Sequence, residues 1–248
     1  SNVFPQSHEN VFQSFLQEGS FPAVALAKDK EVRQALLEGI VDSVIMRDVV
    51  QRGGIDNEAA FRRVARFAFD NIGSFLSANK IANTLKAGGH SINPGTVDRY
   101  LELMCDAFVL YRCQRYDIKG RELLRTNPKY YVVDPGLRNA FLGERSWDLG
   151  HILENLVYLE LRRRGYEVTV GRVGEKEIDF VAVAADGTVY VQVCQTLLGE
   201  EVQQREFSAL EAVGDAYPKY VLSMDDLDYS RNGIKHRTIR EFLEGMPL

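Results

Sequence analysis

Glu177-Ile178-Asp179-Phe180-Val181-Ala182-Val183-Ala184, then Ala185-Asp186-Gly187, then Thr188-Val189-Tyr190-Val191-Gln192-Val193-Cys194-Gln195-Thr196, is the stretch on which the reading of this chain turns. Two runs rich in β-branched and aromatic residues flank Asp-Gly. That pattern predicts two strands joined by a tight hairpin turn. Residues two apart on a strand share a face. Glu177 and Asp179 are therefore expected to point one way, as are Gln192 and Cys194, and all four are expected to converge. Upstream, Leu149, Ile152, Leu153, Leu156, Val157, Leu159 and Leu161 predict a strongly apolar helix, starting near Trp147 and carrying Glu154. Its end, Arg162-Arg163-Arg164-Gly165, places basic residues where the helix dipole favours them. A strand is predicted over 166–171, a helix over 202–213, a strand over 217–223 and a last helix over 238–243.

Helix, three-strand meander, helix, strand is the order of a restriction-endonuclease-like α/β domain, and the polar residues resemble its catalytic centre. A metal-dependent nuclease of that type uses Glu, then Asp, then Glu-x-Lys. The carboxylates hold Mg²⁺, which polarises the phosphate and lowers the pKa of the attacking water. Here Glu154, Glu177 and Asp179 supply carboxylates, but Glu-x-Lys reads Gln192-Val193-Cys194. A neutral amide replaces one ligand, and the water-orienting ammonium is missing. Lys176 is the nearby lysine, and its place ahead of the strand gives it a poor line to the centre. The candidate catalytic set is Glu154, Glu177, Asp179, Gln192 and Cys194, with Asp179 and Glu154 the candidate metal ligands. The favoured reading is an inherited pocket in which Gln192 hydrogen-bonds Glu154 or Asp179 and no Mg²⁺ is held. On this placement Gln192→Glu adds a metal ligand.

The first half of the chain reads as helical. Val11, Phe12, Phe15 and Leu16 predict a helix over 8–18, and Phe21-Pro22 begins a turn. An amphipathic helix is predicted over 31–51 and another over 57–72. Ser77 is placed to cap a helix carrying Ile81, Ala82 and Leu85 that ends at Gly88-Gly89. Asn93-Pro94 is an N-cap followed by proline at the first helical position. Strands follow at 108–116 and 129–133, split by a polar segment. Helix, turn, helix and hairpin is the order of a winged helix. Its second helix carries Asp98, Glu102 and Asp106 as an acidic stripe, which repels phosphates. A winged helix used for protein interaction or packing is therefore expected, with DNA bound weakly.

Composition bounds these readings. The 248 residues suffice for one large or two modest domains. The net charge of −5 argues against a general polyanion binder. Cys105, Cys113 and Cys194 form no Cys-x-x-Cys pair, which suits a reducing cytoplasm. No apolar run reaches the ~20 residues of a membrane helix, so no membrane is expected as a partner. His8, His90, His151 and His236 lie too far apart for a metal signature. The Ser1-Asn2 start reads as left by cleavage of a tag from a piece of a longer protein.

Several motifs resemble the C-terminal domain that follows AAA-type P-loop ATPase modules in many bacteria and archaea. They include Gly19-Ser20-Phe21-Pro22, Asp48-Val49-Val50-Gln51-Arg52, Thr96-Val97-Asp98-Arg99-Tyr100-Leu101 and Arg115-Tyr116-Asp117-Ile118-Lys119-Gly120. The match continues in residues 129–138, in Gly150-His151-Ile152-Leu153-Glu154-Asn155, in Arg164-Gly165-Tyr166-Glu167-Val168 and in Glu177-Ile178-Asp179-Phe180. The resemblance implies an N-terminal ATPase module that binds ATP and acts as a partner. This chain has no G-x-x-x-x-G-K-[ST] loop of its own, so no cofactor is expected here. Other members carry Glu-Val-Lys where this chain has Gln-Val-Cys.

The expected class is α+β: a helical remainder over 1–55, a winged-helix-like domain over 56–140 and a restriction-endonuclease-like domain over 141–248. The expected function is a non-catalytic interaction and regulatory region of an AAA-type ATPase, with an unidentified protein partner. The alternatives are a metal-dependent DNA nuclease and a DNA-binding module without cleavage.

Overall fold

The computed structural model describes residues 8–143, 149–185 and 187–248. Asp186 of the expected hairpin turn and Trp147 lie outside them. The chain divides into two compact units. One takes in Ser1–Ile72, Leu76–Tyr111 and Val132–Trp147; the other Gly73–Phe75, Arg112–Tyr131 and Asp148–Leu248.

The first unit is helical. It contains α1 (His8–Glu18), α2 (Pro22–Leu26), α3 (Lys30–Ile40), α4 (Glu58–Asp70), α5 (Ala78–Ala87), α6 (Pro94–Asp106) and α7 (Pro135–Leu142). The helix expected over 31–51 is α3 running on into a π-helical segment, Val41–Gln51. Short polar side chains set the starts. Asn57 accepts from Ala60 N–H, Ser77 from Lys80 N–H and Asn93 from Gly95 N–H. Phe61, Val64 and Phe69 of α4 are buried with Ile81 of α5 and Val97, Tyr100 and Leu101 of α6. The Phe61 and Tyr100 rings meet edge to face at 5.5 Å.

Two motifs quoted above meet in this unit. Asp134 caps α7 through Leu137 N–H at 3.0 Å. It also accepts from Ser20 N–H at 2.6 Å and from the Ser20 hydroxyl at 2.9 Å. Gly19, at φ +77°, leaves no room for a Cβ, which would fall 1.9 Å from Asp134 Oδ1. The helix α7 was not anticipated, although Asp134-Pro135 is the same cap-then-proline signal as Asn93-Pro94.

The second unit is built on a mixed seven-stranded sheet, ordered β2-β1-β3-β4-β5-β6-β7. The strands are β1 (Leu110–Asp117), β2 (Glu122–Val132), β3 (Glu167–Val173), β4 (Lys176–Ala184), β5 (Gly187–Val193), β6 (Lys219–Ser223) and β7 (Lys235–Thr238). The β1/β3, β5/β6 and β6/β7 pairs are parallel; β3/β4 and β4/β5 are antiparallel. Helices α8 (Leu149–Arg163) and α9 (Glu200–Glu211) cover opposite faces. Phe180 packs near Tyr158 of α8, and its neighbour Val181 joins the cluster holding Phe207 and Leu210 of α9. Thr238 caps the terminal α10 (Ile239–Leu243).

The helix-helix-strand-strand order expected of a winged helix is present, but its strands do not form a free wing. Arg115–Asp117 pair in parallel with Val170–Arg172, so the two strands are part of the larger sheet. The second of them begins at Glu122 rather than near 129. The strand β7 was also not anticipated; its four residues are too short for a period-2 pattern to register.

We expect Gly19→Ala and Asp134→Ala each to destabilise the chain by roughly 2–4 kcal/mol. The first puts a side chain at a positive φ and into a steric clash, and the second orphans the buried Leu137 N–H and releases Ser20. Urea denaturation monitored by circular dichroism measures both. A loss below about 0.5 kcal/mol for either, the range of an ordinary surface change, would contradict a structural role for the Asp134 contacts with Gly19, Ser20 and Leu137.

Candidate functional site

The second unit gathers four charged side chains from three elements. Lys129 comes from β2, Glu154 from α8, and Glu177 and Asp179 from β4. Lys129 Nζ lies 2.9 Å from Glu154 Oε1, 2.6 Å from Glu177 Oε1 and 3.8 Å from Asp179 Oδ1. Tyr131, two residues along the same strand, donates to Glu154 Oε1 at 2.6 Å. The Tyr131 ring stacks on Tyr158 at 4.3 Å. Lys129, Glu154 and Asp179 are buried, whereas the Glu177 side chain is 36% exposed and opens the cluster to solvent.

A change in register places Asp179. Thr169 pairs with Val181, but Gly171 pairs with Ile178, so β4 uses three steps where β3 uses two. The extra residue is a bulge, which bends a strand and re-aims its side chains. Ile178 and Val181, three apart, consequently join one apolar cluster. Asp179 reaches Lys129 with one oxygen and accepts Val193 N–H with the other at 2.8 Å.

Other main-chain and aromatic groups close over the lysine. Phe75 bridges to Lys129 through the backbone, and its ring lies 5.5 Å from Nζ and 4.5 Å from the Arg115 guanidinium. Gly73 approaches so closely that a Cβ there would sit 3.3 Å from Glu154 Oε2 and 3.2 Å from the His151 ring.

The structure brings the Glu154, Glu177 and Asp179 side chains together at Lys129; Gln192 touches this group only through the Asp179 main chain, and Cys194 lies outside it. Gln192 Oε1 accepts Asp179 N–H at 3.2 Å, and its amide donates to Glu206 Oε2 at 3.0 Å. Glu206, buried on α9, is also held by Arg205 at 2.7 Å. Gln192 thus binds the Asp179 main chain and a different carboxylate, rather than the side chain of Glu154 or Asp179. Cys194 is buried with Phe207 and Leu210, and burial pushes its thiol well above the ordinary range. Burial likewise pushes Cys113 up to about 12. Lys176 donates to Ser208 O at 3.0 Å. The lysine of this cluster is Lys129, which the sequence reading missed, together with Tyr131 and Glu206. The available signal was a lysine directly ahead of two tyrosines and two valines, Lys129-Tyr130-Tyr131-Val132-Val133.

The electrostatics follow from burial. Desolvation works against the Lys129 ammonium, but Glu154, Asp179 and Glu177 outweigh it and lift its pKa far above the ordinary lysine value. Burial, then the charge of Glu154, lifts the Asp179 carboxyl well above the usual carboxylate range, with Lys129 and Val193 N–H pulling the other way. Three acids share one buried cation, and Asp179 is held toward its protonated form.

The donor set does not fit a divalent cation as it stands. The ammonium lies within hydrogen-bond distance of two of the carboxylates, where a metal would have to sit. Among the described residues no group of three or more His, Cys, Asp or Glu is disposed to hold a metal ion.

A second polar cluster is structural. Ser223 Oγ lies 2.9 Å from His236 Nε2 and donates to Asp225 at 2.7 Å. The carboxylate holds the serine rather than the histidine, which is not the arrangement that activates a nucleophile. Ser223 and His236 are buried, so the cluster ties β6 to β7.

Residues 9–148 match the family described as "Domain of unknown function (DUF8612)". The chain belongs to this family. The match takes in Lys129 and Tyr131 but ends before Glu154. A protein of Haemophilus influenzae described as uncharacterized is 39% identical over 194 residues, 77% of this chain and 48% of that protein. Protein MJ1544 of the archaeon Methanocaldococcus jannaschii is 32% identical over 201 residues, 79% of this chain and 44% of that one. Protein Rv2008c of Mycobacterium tuberculosis is 27% identical over 150 residues, 58% of this chain and 33% of its own length. The DUF8612 chain spans about half the length, or less, of these curated relatives.

Two variants test the geometry. Gln192→Glu faces the buried Glu206 with a second, half-buried carboxylate and should cost about 1–3 kcal/mol at pH 7. The deficit should shrink as pH falls and one acid protonates. Adding Glu206→Gln restores a donor–acceptor pair and should recover at least half of the loss in urea melts. Equal stability of parent and Gln192→Glu would refute the contact.

Asp179→Asn tests the raised acid. A carboxyl whose folded pKa exceeds its unfolded value holds a proton that the unfolded chain releases. The parent's stability therefore rises, through this group, as pH falls from neutral toward the unfolded pKa of about 3.9. The asparagine variant lacks that gain. The parent-minus-variant difference in urea melts should grow in the parent's favour between pH 7 and pH 5. A difference that shrinks over this range would show Asp179 fully ionised.

Proposed function

We propose that this chain is a non-catalytic interaction and regulatory region of a longer protein whose other half is an AAA-type ATPase module. The observation that carries the reading is Lys129 Nζ at 2.6 and 2.9 Å from two of the three carboxylates. A nuclease of the type that the motif order resembles needs a divalent cation there, and here an internal ammonium neutralises the acids. Gln192 and Cys194 take no part in the cluster. The length of the relatives leaves room for a module of about this chain's size, and the motif resemblance favours an ATPase that binds ATP. That module would be the first partner, with a further protein partner regulated through it.

On this reading the second unit descends from a restriction-endonuclease-like domain. The helices α4, α5 and α6 with β1 and β2 keep a winged-helix-like order but serve packing. The stripe of Asp98, Glu102 and Asp106 is exposed on α6, and the Arg99 guanidinium beside it donates to Gly53 O at 2.6 Å. Arg62 of the basic run on α4 is paired with Glu58 at 3.1 Å. Such a surface gives phosphates little to bind.

A second reading, a metal-dependent DNA nuclease, draws on the same lysine. Lys129 supplies, 3.8 Å from Asp179, the ammonium that position 194 lacks. Cleavage separates the two. The chain should leave supercoiled plasmid intact with Mg²⁺ or Mn²⁺, and nicking that disappears in Asp179→Ala would establish the nuclease.

Binding to generic duplex DNA should be weaker than about 1 µM at physiological salt, given the net charge of −5. Fluorescence anisotropy across a salt series measures it. Sub-micromolar affinity with a steep salt slope would instead support a DNA-binding module without cleavage.

A further inference from the structure

We infer that the groove on the sheet face carrying α9 is a small-molecule site: it takes a free guanine nucleotide, with the base toward Glu167 and the phosphate toward Lys119 and Arg121. The inference goes beyond the function proposed above and does not rest on it. The acid–lysine cluster lies under α8, and the groove lies on the other face of the sheet.

Strand pairing builds the groove. Helix α9 ends at Glu211, and beyond it the sheet face holds a cavity of about 460 Å³. A second cavity of about 330 Å³ adjoins it, sharing Ile118, Arg121 and Asp215. Small-ligand sites run from about 300 to 1,000 Å³. Glu167, Val183 and Thr188 are register partners across β3, β4 and β5, and they line one end. Thr169, Val181 and Tyr190 form the next row. Farther along, Tyr116 pairs with Gly171, and Ile118 N–H donates to Arg172 O at 2.9 Å. Lys119 and Arg121, on the turn between β1 and β2, line the other end. From Glu167 to the level of Arg172 the groove follows β3 for roughly 16 Å.

Each part of this lining has a match in one nucleotide. The middle is apolar and aromatic. Val181 and Tyr190 are buried beneath it, and Tyr217, 48% exposed, and Val183 stand at its rim. A planar base stacks on such side chains. The Tyr190 hydroxyl donates to Asp215 Oδ2 at 2.6 Å, and Asp215 Oδ1 accepts Tyr217 N–H at 3.2 Å. Those bonds fix the aromatic floor and engage Asp215. Glu167 is exposed, so its two oxygens are open to a ligand. A carboxylate only accepts hydrogen bonds. Guanine offers two neighbouring donors on one edge, the ring N1–H and the exocyclic amine, whereas adenine sets an acceptor beside its amine. At the far end the exposed Lys119 and Arg121 supply the cations that a phosphate needs. Acid, aromatic floor and cations thus follow the order of donor edge, ring and phosphate. The groove closes at the hairpin tip, which suits one nucleotide rather than a strand.

Isothermal calorimetry on the whole chain, with GMP as the probe, tests the assignment. GMP should bind with a Kd below about 1 mM. AMP should bind at least about fivefold more weakly, because it leaves one Glu167 oxygen unmatched. Glu167→Gln should bring GMP down to the AMP level and leave AMP unchanged. Arg121 has φ +54°, a conformation that asparagine tolerates. Arg121→Asn should therefore weaken GMP about fivefold while leaving guanosine unaffected. Tyr217→Ala should weaken GMP and guanosine together. All three side chains are exposed, and melting curves verify that each variant is folded. The variants act on separate contacts, so any one that fails to fold leaves the other two to decide.

Four outcomes overturn the inference. One is no heat from GMP at concentrations up to about 10 mM. Another is equal affinity for GMP and AMP in the parent. A third is GMP binding that none of the folded variants alters, which would place it elsewhere. The fourth is a different occupant: an RNA hexamer at least about tenfold tighter than GMP would assign the groove to a strand, and N-acetylarginine amide tighter than GMP would assign it to a cation. None of these is the plasmid result, so failure of the non-catalytic reading would show in a separate measurement.

Discussion

A single ammonium among three carboxylates is the constraint around which the second unit is arranged. Lys129 lies on β2, near one edge of the sheet, Glu154 on the covering helix and Glu177 and Asp179 on a central strand. Each partner is tolerable only in the presence of the others. Buried ion pairs contribute little net stability compared with apolar packing, but removing one member is costly, of order 3–5 kcal/mol. The cluster therefore acts more as a specification than as glue. It permits one register of β2, one rotation of α8 and one bulge in β4. Tyr131 and Phe75 complete it, giving Glu154 a second donor and the lysine an aromatic neighbour.

Much of this architecture could be read from the residues. The caps at Ser77 and Asn93, the helix around Glu154 and the strands flanking Asp186-Gly187 all carry strong local signals. What escaped did so for physical reasons. Lys129 is far from Asp179 in sequence, and local patterns carry no information about which distant strand completes a sheet. Strict alternation along β4 gave no hint of the bulge, because one extra residue leaves the composition of a strand unchanged. Gln192 was placed on the correct strand, but its partner, Glu206, comes from a helix whose polar residues look merely solvated. The hairpin after α6 looked like a wing because its order is that of a wing; only the parallel pairing of β1 with β3 shows where it belongs.

The same features bear on how the fold relates to chemistry. Glu154, Glu177 and Asp179 converge on Lys129, while Gln192 and Cys194 serve other ends. Gln192 bridges a main-chain amide to a buried acid, and Cys194 fills apolar space. Both positions are held by packing and hydrogen bonding. The stripe of Asp98, Glu102 and Asp106 is exposed on α6, and its charge opposes phosphate binding.

The division of the chain has a consequence for inheritance. The polypeptide passes between its two units five times, with the short segment Gly73–Phe75 inserted into one and Val132–Trp147 returned to the other. A gene exchange with a single breakpoint would therefore leave at least one unit missing a strand or a helix. Neither unit can be shuffled as a cassette in the way that tandem domains are. A recombinant joined at one point would instead inherit part of each unit from each parent.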